Sequence, residues 1–85
     1  MQIFYSSYFA KQIKKLTPEE KSLLSKFEKK FRQNPFSPDL KTHKLSGKLK
    51  NYWACSINYK IMVIFELQMN NKIILVNIGG HNIYR

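Results

Sequence analysis

A single cysteine leaves this chain no partner for an intrachain disulfide, so non-covalent packing alone must hold it together. Cys55 lies in an apolar stretch and reads as a small buried hydrophobe rather than a nucleophile or metal ligand; an intracellular, reducing home such as the cytoplasm fits a lone thiol. Long apolar runs are also missing. The longest, Ile61 to Phe65, falls far short of the ~20 residues that span a bilayer. No cationic start leads into an apolar stretch, so no signal peptide is expected. With two histidines, one cysteine and few acids there is no ligand spacing for zinc and no carboxylate set for magnesium, and no cofactor or metal is expected. Three glycines form no phosphate-cradling loop, and the chain lacks the acid and the elbow motif of a serine hydrolase.

What the chain has instead is positive charge. Fifteen Lys and Arg against 5 Asp and Glu give a net charge of +10, a strong field for 85 residues. Polyanions are the expected partners, nucleic acid first, because no basic amphipathic helix carries a Trp or Leu face that would enter a membrane surface. The plain alternative is a lysine excess that reflects lysine-rich coding.

The length allows one domain, residues 1–85, with a single two-layer core. Its C-terminal half is dense in Ile, Val, Phe, Tyr and Trp and reads as a three-strand meander: Tyr52 to Ile57, Lys60 to Leu67 and Lys72 to Ile78. Asn58 and Asn70-Asn71 stand where tight turns are needed. Upstream, Gln2 to Tyr5 is apolar enough for a first strand, and Ser6 or Ser7 can cap a helix bearing Phe9, Ile13 and Leu16 on one face. Thr17-Pro18-Glu19-Glu20 then carries a capping box with proline at the first helical position. The helix it opens lines up Leu23, Leu24, Phe27 and Phe31 and stops before Asn34-Pro35. The expected fold is α+β: an N-terminal strand and a two-helix hairpin packed on a largely antiparallel four-strand sheet.

Lys41 to Lys50 is the densest basic stretch, with Lys41, Lys44, Lys48 and Lys50, His43 and no acid. Crowded cations persist most easily where a polyanion neutralises them, so this run is the leading phosphate-binding candidate. Gly47 permits a tight turn, and Tyr52 and Trp53 follow at once. Trp53 either stacks on a base or, sharing alternation with Cys55 and Ile57, belongs to the core. Metal-free RNA cleavage needs a base for the ribose 2'-OH, an acid for the leaving 5'-oxygen and cations for the phosphorane. Histidine, with its ordinary pKa near 6.5, suits both proton roles. His43 and His81 are the candidate pair, with Lys41, Lys44, Lys60 or Arg85 as electrostatic partners and Tyr84 stacking on a base or sharing proton transfer. The alternative is two surface histidines with no common role.

The order strand, helix, helix, three strands, with His43-Lys44-Leu45-Ser46-Gly47 and Tyr52-Trp53 ahead of the meander and Gly79-Gly80-His81-Asn82-Ile83-Tyr84 after it, resembles the RelE/ParE toxin superfamily over essentially the whole chain. It is most similar to the RelE and YafQ branches. The resemblance implies a small basic toxin of a type II toxin–antitoxin system. Such a toxin cuts messenger RNA in the ribosomal A site, and a co-expressed acidic antitoxin silences it. It further implies a monomer when free and a hetero-oligomer with the antitoxin. The ParE branch implies a DNA gyrase inhibitor instead, and a third possibility is a catalytically inactive relative that keeps RNA or antitoxin binding. On the YafQ pattern His43 and His81 fall on site histidines and Tyr84 stands one residue nearer the histidine than the terminal aromatic of the branch. Departures are Ser56 where a further histidine is usual, no acid in the following turn, and Lys60 in place of arginine, which keeps charge but loses the planar fork.

Overall fold

The computed structural model describes residues 1–80 and Ile83. Its local signals form as the residues imply. Ser6 accepts from the Phe9 N–H and opens helix α1, Ser7–Lys14. Thr17 and Glu20 exchange both bonds of the capping box at the start of α2, Pro18–Gln33. Since a hydroxyl cap is worth about 0.5–2 kcal/mol, Thr17→Ala should lower the unfolding free energy by that amount, read as a lower urea midpoint with the slope of the transition unchanged.

The strands are β1, Gln2–Tyr5; β2, His43–Lys44; β3, Tyr52–Ser56; β4, Met62–Gln68; and β5, Lys72–Gly79. They lie in the order β1-β5-β4-β3-β2, antiparallel except that β1 runs parallel to β5. The α+β architecture is as expected, and a short fifth strand, β2, is added at the edge of the sheet. Two residues in a run of lysines carry no strand period to read. Lys60 falls in the β3–β4 turn rather than in a strand, because the Asn58 side chain takes up the Lys60 and Ile61 N–H groups. Asn70 and Asn71 both adopt positive φ in the β4–β5 hairpin, as their placement implies.

Alternation assigns the two faces of the sheet. Phe9, Leu24, Phe27, Phe31 and Leu40 pack against Cys55, Val63, Phe65, Ile73, Leu75 and Ile78, so the helices cover one face. Trp53 belongs to this side: it stacks on Phe65 and meets the edge of Phe36, which settles its role in favour of the core. The other face carries Tyr52, Ala54, Ser56, Met62 and Ile64; the helices do not cover it, yet Ala54, Met62 and Ile64 are buried.

Cys55 is fully buried, and burial pushes its thiol up to about 11, with the nearby Thr42 hydroxyl at 3.2 Å pulling the other way. A proton held more tightly in the fold than in the unfolded chain stabilises the fold below the ordinary thiol pKa. That stability is lost as pH rises through the folded value. Chemical denaturation should therefore show stability falling between about pH 9 and 11, and Cys55→Ala should flatten that fall.

Candidate active site

His43 is placed by the segment that precedes it. The Thr42 hydroxyl donates to the Pro35 carbonyl and touches the Cys55 sulfur, tying residue 42 to the helical side of the sheet. Lys41 takes a left-handed conformation, φ 50°, after the short 3-10 turn Pro38–Leu40, and so redirects the chain into β2. Pairing with Ala54 then sets His43 on the face away from the helices, where its own side chain is solvent-exposed. Its Nδ1 lies 3.0 Å from the Lys41 carbonyl oxygen. A carbonyl only accepts, so in the neutral ring this bond selects the tautomer with the proton on Nδ1 and leaves the Nε2 lone pair free. Such a ring is prepared to take a proton from a substrate hydroxyl.

His43 borders a concavity of about 670 Å³ shared with Asp39, Lys41, Ser56, Asn58 and Tyr59. Asp39, Asn58 and Tyr59 were not among the candidate site residues read from the sequence. Asp39 belongs to the turn-rich connection before the basic run, and Asn58 and Tyr59 come from the β3–β4 turn, more than a dozen residues away. Asp39 is held near by the short turn that leads into β2, whereas the antiparallel pairing of β2 with β3 brings Asn58 and Tyr59 to His43. The site thus does contain an acid, half engaged by an exposed ion pair with Lys30 at 3.7 Å. Ser56, standing where the family resemblance has a histidine, donates to the Met62 sulfur at 3.3 Å.

The lysines divide. Lys41 lines the concavity, and Lys60 lies beside it in the turn, its ammonium 5.5 Å from the ring of the highly exposed Tyr59. Lys48 and Lys50 are exposed on the loop between β2 and β3, which turns at Gly47 with φ 64° and brings Leu49 to Tyr52, Ile64 and Ile83. Lys44 does not join them. One residue beyond His43 in an extended strand it points to the opposite face, where its ammonium sits 5.7 Å from the Trp53 ring. His81, Tyr84 and Arg85 lie outside the described residues. What is described is where β5 delivers the chain to them: Gly79 pairs with Met62, which pairs with Ser56, so β5 ends at the same end of the sheet as the concavity. Three strand spacings, about 14 Å, separate β5 from β2.

A family model described as "Bacterial toxin of type II toxin-antitoxin system, YafQ" matches residues 1–84. The chain belongs to the YafQ toxin family. No curated protein matches it in sequence. Among solved structures it is similar to YafQ from E. coli strain BL21(DE3), with 20% identity and a TM-score of 0.79 over 98% of this chain and 96% of that one. A copper-bound mutant toxin from Helicobacter pylori gives 24% identity and a TM-score of 0.78 over 100% and 99%. The E. coli DinJ–YafQ toxin–antitoxin complex gives 21% and 0.74 over 96% and 93%. Identities this low carry the fold alone, but they do so over whole chains, and the RelE-like resemblance read from the order of elements stands. The protein is a YafQ/RelE-type toxin of a type II toxin–antitoxin system, and none of the helices in the described residues is long and apolar enough to cross a membrane.

Proposed function

We propose that this YafQ-family toxin is an endoribonuclease that cleaves messenger RNA in the ribosomal A site of the cytoplasm, without metal, by attack of the ribose 2'-OH on the adjacent phosphate. The observation that carries the reading is His43 on the rim of a concavity that Lys41 and Asp39 also line, with Nδ1 engaged by a backbone carbonyl and Nε2 without a partner among the described residues. In this reading Nε2 removes the 2'-OH proton, His81 protonates the leaving 5'-oxygen, Lys41 and Lys60 stabilise the charged phosphorane, and Tyr84 orients the base. Lys48, Lys50 and Arg85 hold the flanking backbone. The partner that silences the toxin is an acidic antitoxin, suited to a chain of net charge +10 and in keeping with the DinJ–YafQ complex of the E. coli relative. The free toxin is a monomer and the silenced form a hetero-oligomer.

The test is a translating extract in which message ends are mapped. Cuts confined to the codon in the A site, and lost when ribosomes are removed, are the expected result. Ser56 in place of a histidine favours the second reading, a gyrase inhibitor of the ParE type or a binding-only relative. Intact message with arrested DNA supercoiling would establish the former, and intact message with intact supercoiling the latter.

RNA affinity should fall steeply with salt. Lys41, Lys48, Lys50 and Lys60 are all exposed, and neutralising four phosphates of a single strand gives a log–log slope of about −3. A slope near zero between low and moderate salt would contradict phosphate binding by these lysines.

A further inference from the structure

β1 ends at Tyr5, opposite Leu75, but β5 runs on to Gly79. Among the described residues its outer edge past Leu75 has no neighbouring strand, and Ser6 and Gln12 complete it instead. The Ser6 N–H donates to the Leu75 carbonyl and the Ser6 hydroxyl to the Val76 carbonyl. From α1, Gln12 then does what a strand residue would do: its Oε1 accepts from the Ile78 N–H at 3.0 Å, while its Nε2 donates to the Ile78 carbonyl at 3.0 Å and to Asn77 Oδ1 at 2.8 Å. An amide matches a peptide group in both donor and acceptor, so one side chain satisfies both backbone groups of Ile78.

A second fixed point lies just beyond. The Ile83 N–H donates to the Gly80 carbonyl at 3.1 Å, and Ile83 lies so close over Gly79 that a Cβ there would meet Ile83 Cγ2 at 2.7 Å. Gly79 is not at positive φ; what it supplies is room for this contact. His81 and Asn82 are the two residues between these points.

We infer that Gln12 and the Gly79–Ile83 contact form a clamp on the root of the C-terminal tail, and that Gln12 is a positioning residue for the tail histidine. The inference rests on the cleavage reading above for its catalytic consequence, though not for its geometry. Gln12 is far from His43 in the fold, on α1 at the opposite edge of the sheet from β2. Proton transfer requires the acid to sit within hydrogen-bond reach of the leaving oxygen, and a displacement of about 1 Å costs on the order of 100-fold in rate.

The experiment compares wild type with Gln12→Met, which keeps length and volume but not the amide, Gln12→Glu, which keeps only an acceptor for the Ile78 N–H, and Gly79→Ala, which forces Ile83 off its seat. Two quantities are read: amide hydrogen exchange by NMR, and kcat and KM for cleavage in the translating extract. In Gln12→Met the Ile78 amide should exchange at least 10-fold faster while the Val63 and Phe65 amides of the central strand stay protected. Cleavage in Gln12→Met and Gly79→Ala should lose 10- to 100-fold in kcat with KM unchanged within about twofold, and Gln12→Glu should fall between Gln12→Met and wild type in Ile78 exchange. Unchanged exchange at Ile78 in Gln12→Met overturns the clamp. Faster exchange with wild-type kcat in both Gln12→Met and Gly79→Ala overturns the positioning role. Should wild type cut no message, the cleavage reading fails by itself and takes the positioning role with it, while the exchange data still decide the clamp.

Discussion

Replacing His43 by alanine is expected to slow messenger cleavage about 100- to 10,000-fold, the range that separates a positioned general base from none. The side chain is exposed and outside the core, so the loss should come with stability unchanged within about 0.5 kcal/mol. His43→Gln should be nearly as slow, because glutamine can fill the space and donate to the Lys41 carbonyl but cannot take up a proton at neutral pH. Lys48→Ala should behave differently, weakening association while leaving single-turnover cleavage at saturating toxin close to wild type. The measurement is single-turnover cleavage of a defined message on stalled ribosomes. A His43→Ala toxin that cuts within threefold of wild type would remove His43 from proton transfer, whatever the fate of the other groups.

The second large effect is on stability. Phe31 is fully buried at the centre of the helix–sheet interface, stacked on Phe27 with ring centres 5.3 Å apart and edge-on to Phe65 at 5.0 Å. Truncating such a side chain to alanine costs about 3–5 kcal/mol, from lost transfer energy and the cavity left behind. A domain of this length has about 4–13 kcal/mol in total, at 0.05–0.15 kcal/mol per residue. Phe31→Ala should therefore lose a large share of the stability of the fold, whereas Phe31→Leu, which refills most of the space, should lose well under half as much. Urea titration followed by far-UV circular dichroism measures both. A Phe31→Ala loss below 1 kcal/mol would mean that the interface collapses around the gap and that Phe65 finds other partners.

Much of the fold was legible because its signals are local. The capping box at Thr17, the stop at Asn34-Pro35 and the asparagine pair at the last hairpin are each specified by residues within one turn of each other. The apolar period of α2 and the β-branched density of β4 and β5 then fix which faces must be buried. The strand at His43–Lys44 was hidden for the opposite reason, since two residues carry no period and their pairing comes from Ala54 and Trp53 in a later strand.

The candidate site divides along the same line. Sequence by itself determined the chemistry available: two imidazoles, a lysine run without acids, one inert thiol, and a net charge that calls for an anionic partner. It determined also the order of elements that marks the family. Only the tertiary structure decided which of those groups share a surface. It turned Lys44 away from His43 because adjacent strand residues face opposite ways, brought Asn58 and Tyr59 to the histidine by strand pairing, and placed Trp53 in the core. It also set Gln12 against Ile78, across 66 positions of sequence. Side-chain chemistry is a property of one residue, but proximity depends on register and layer packing, which are set by contacts between residues far apart in the chain.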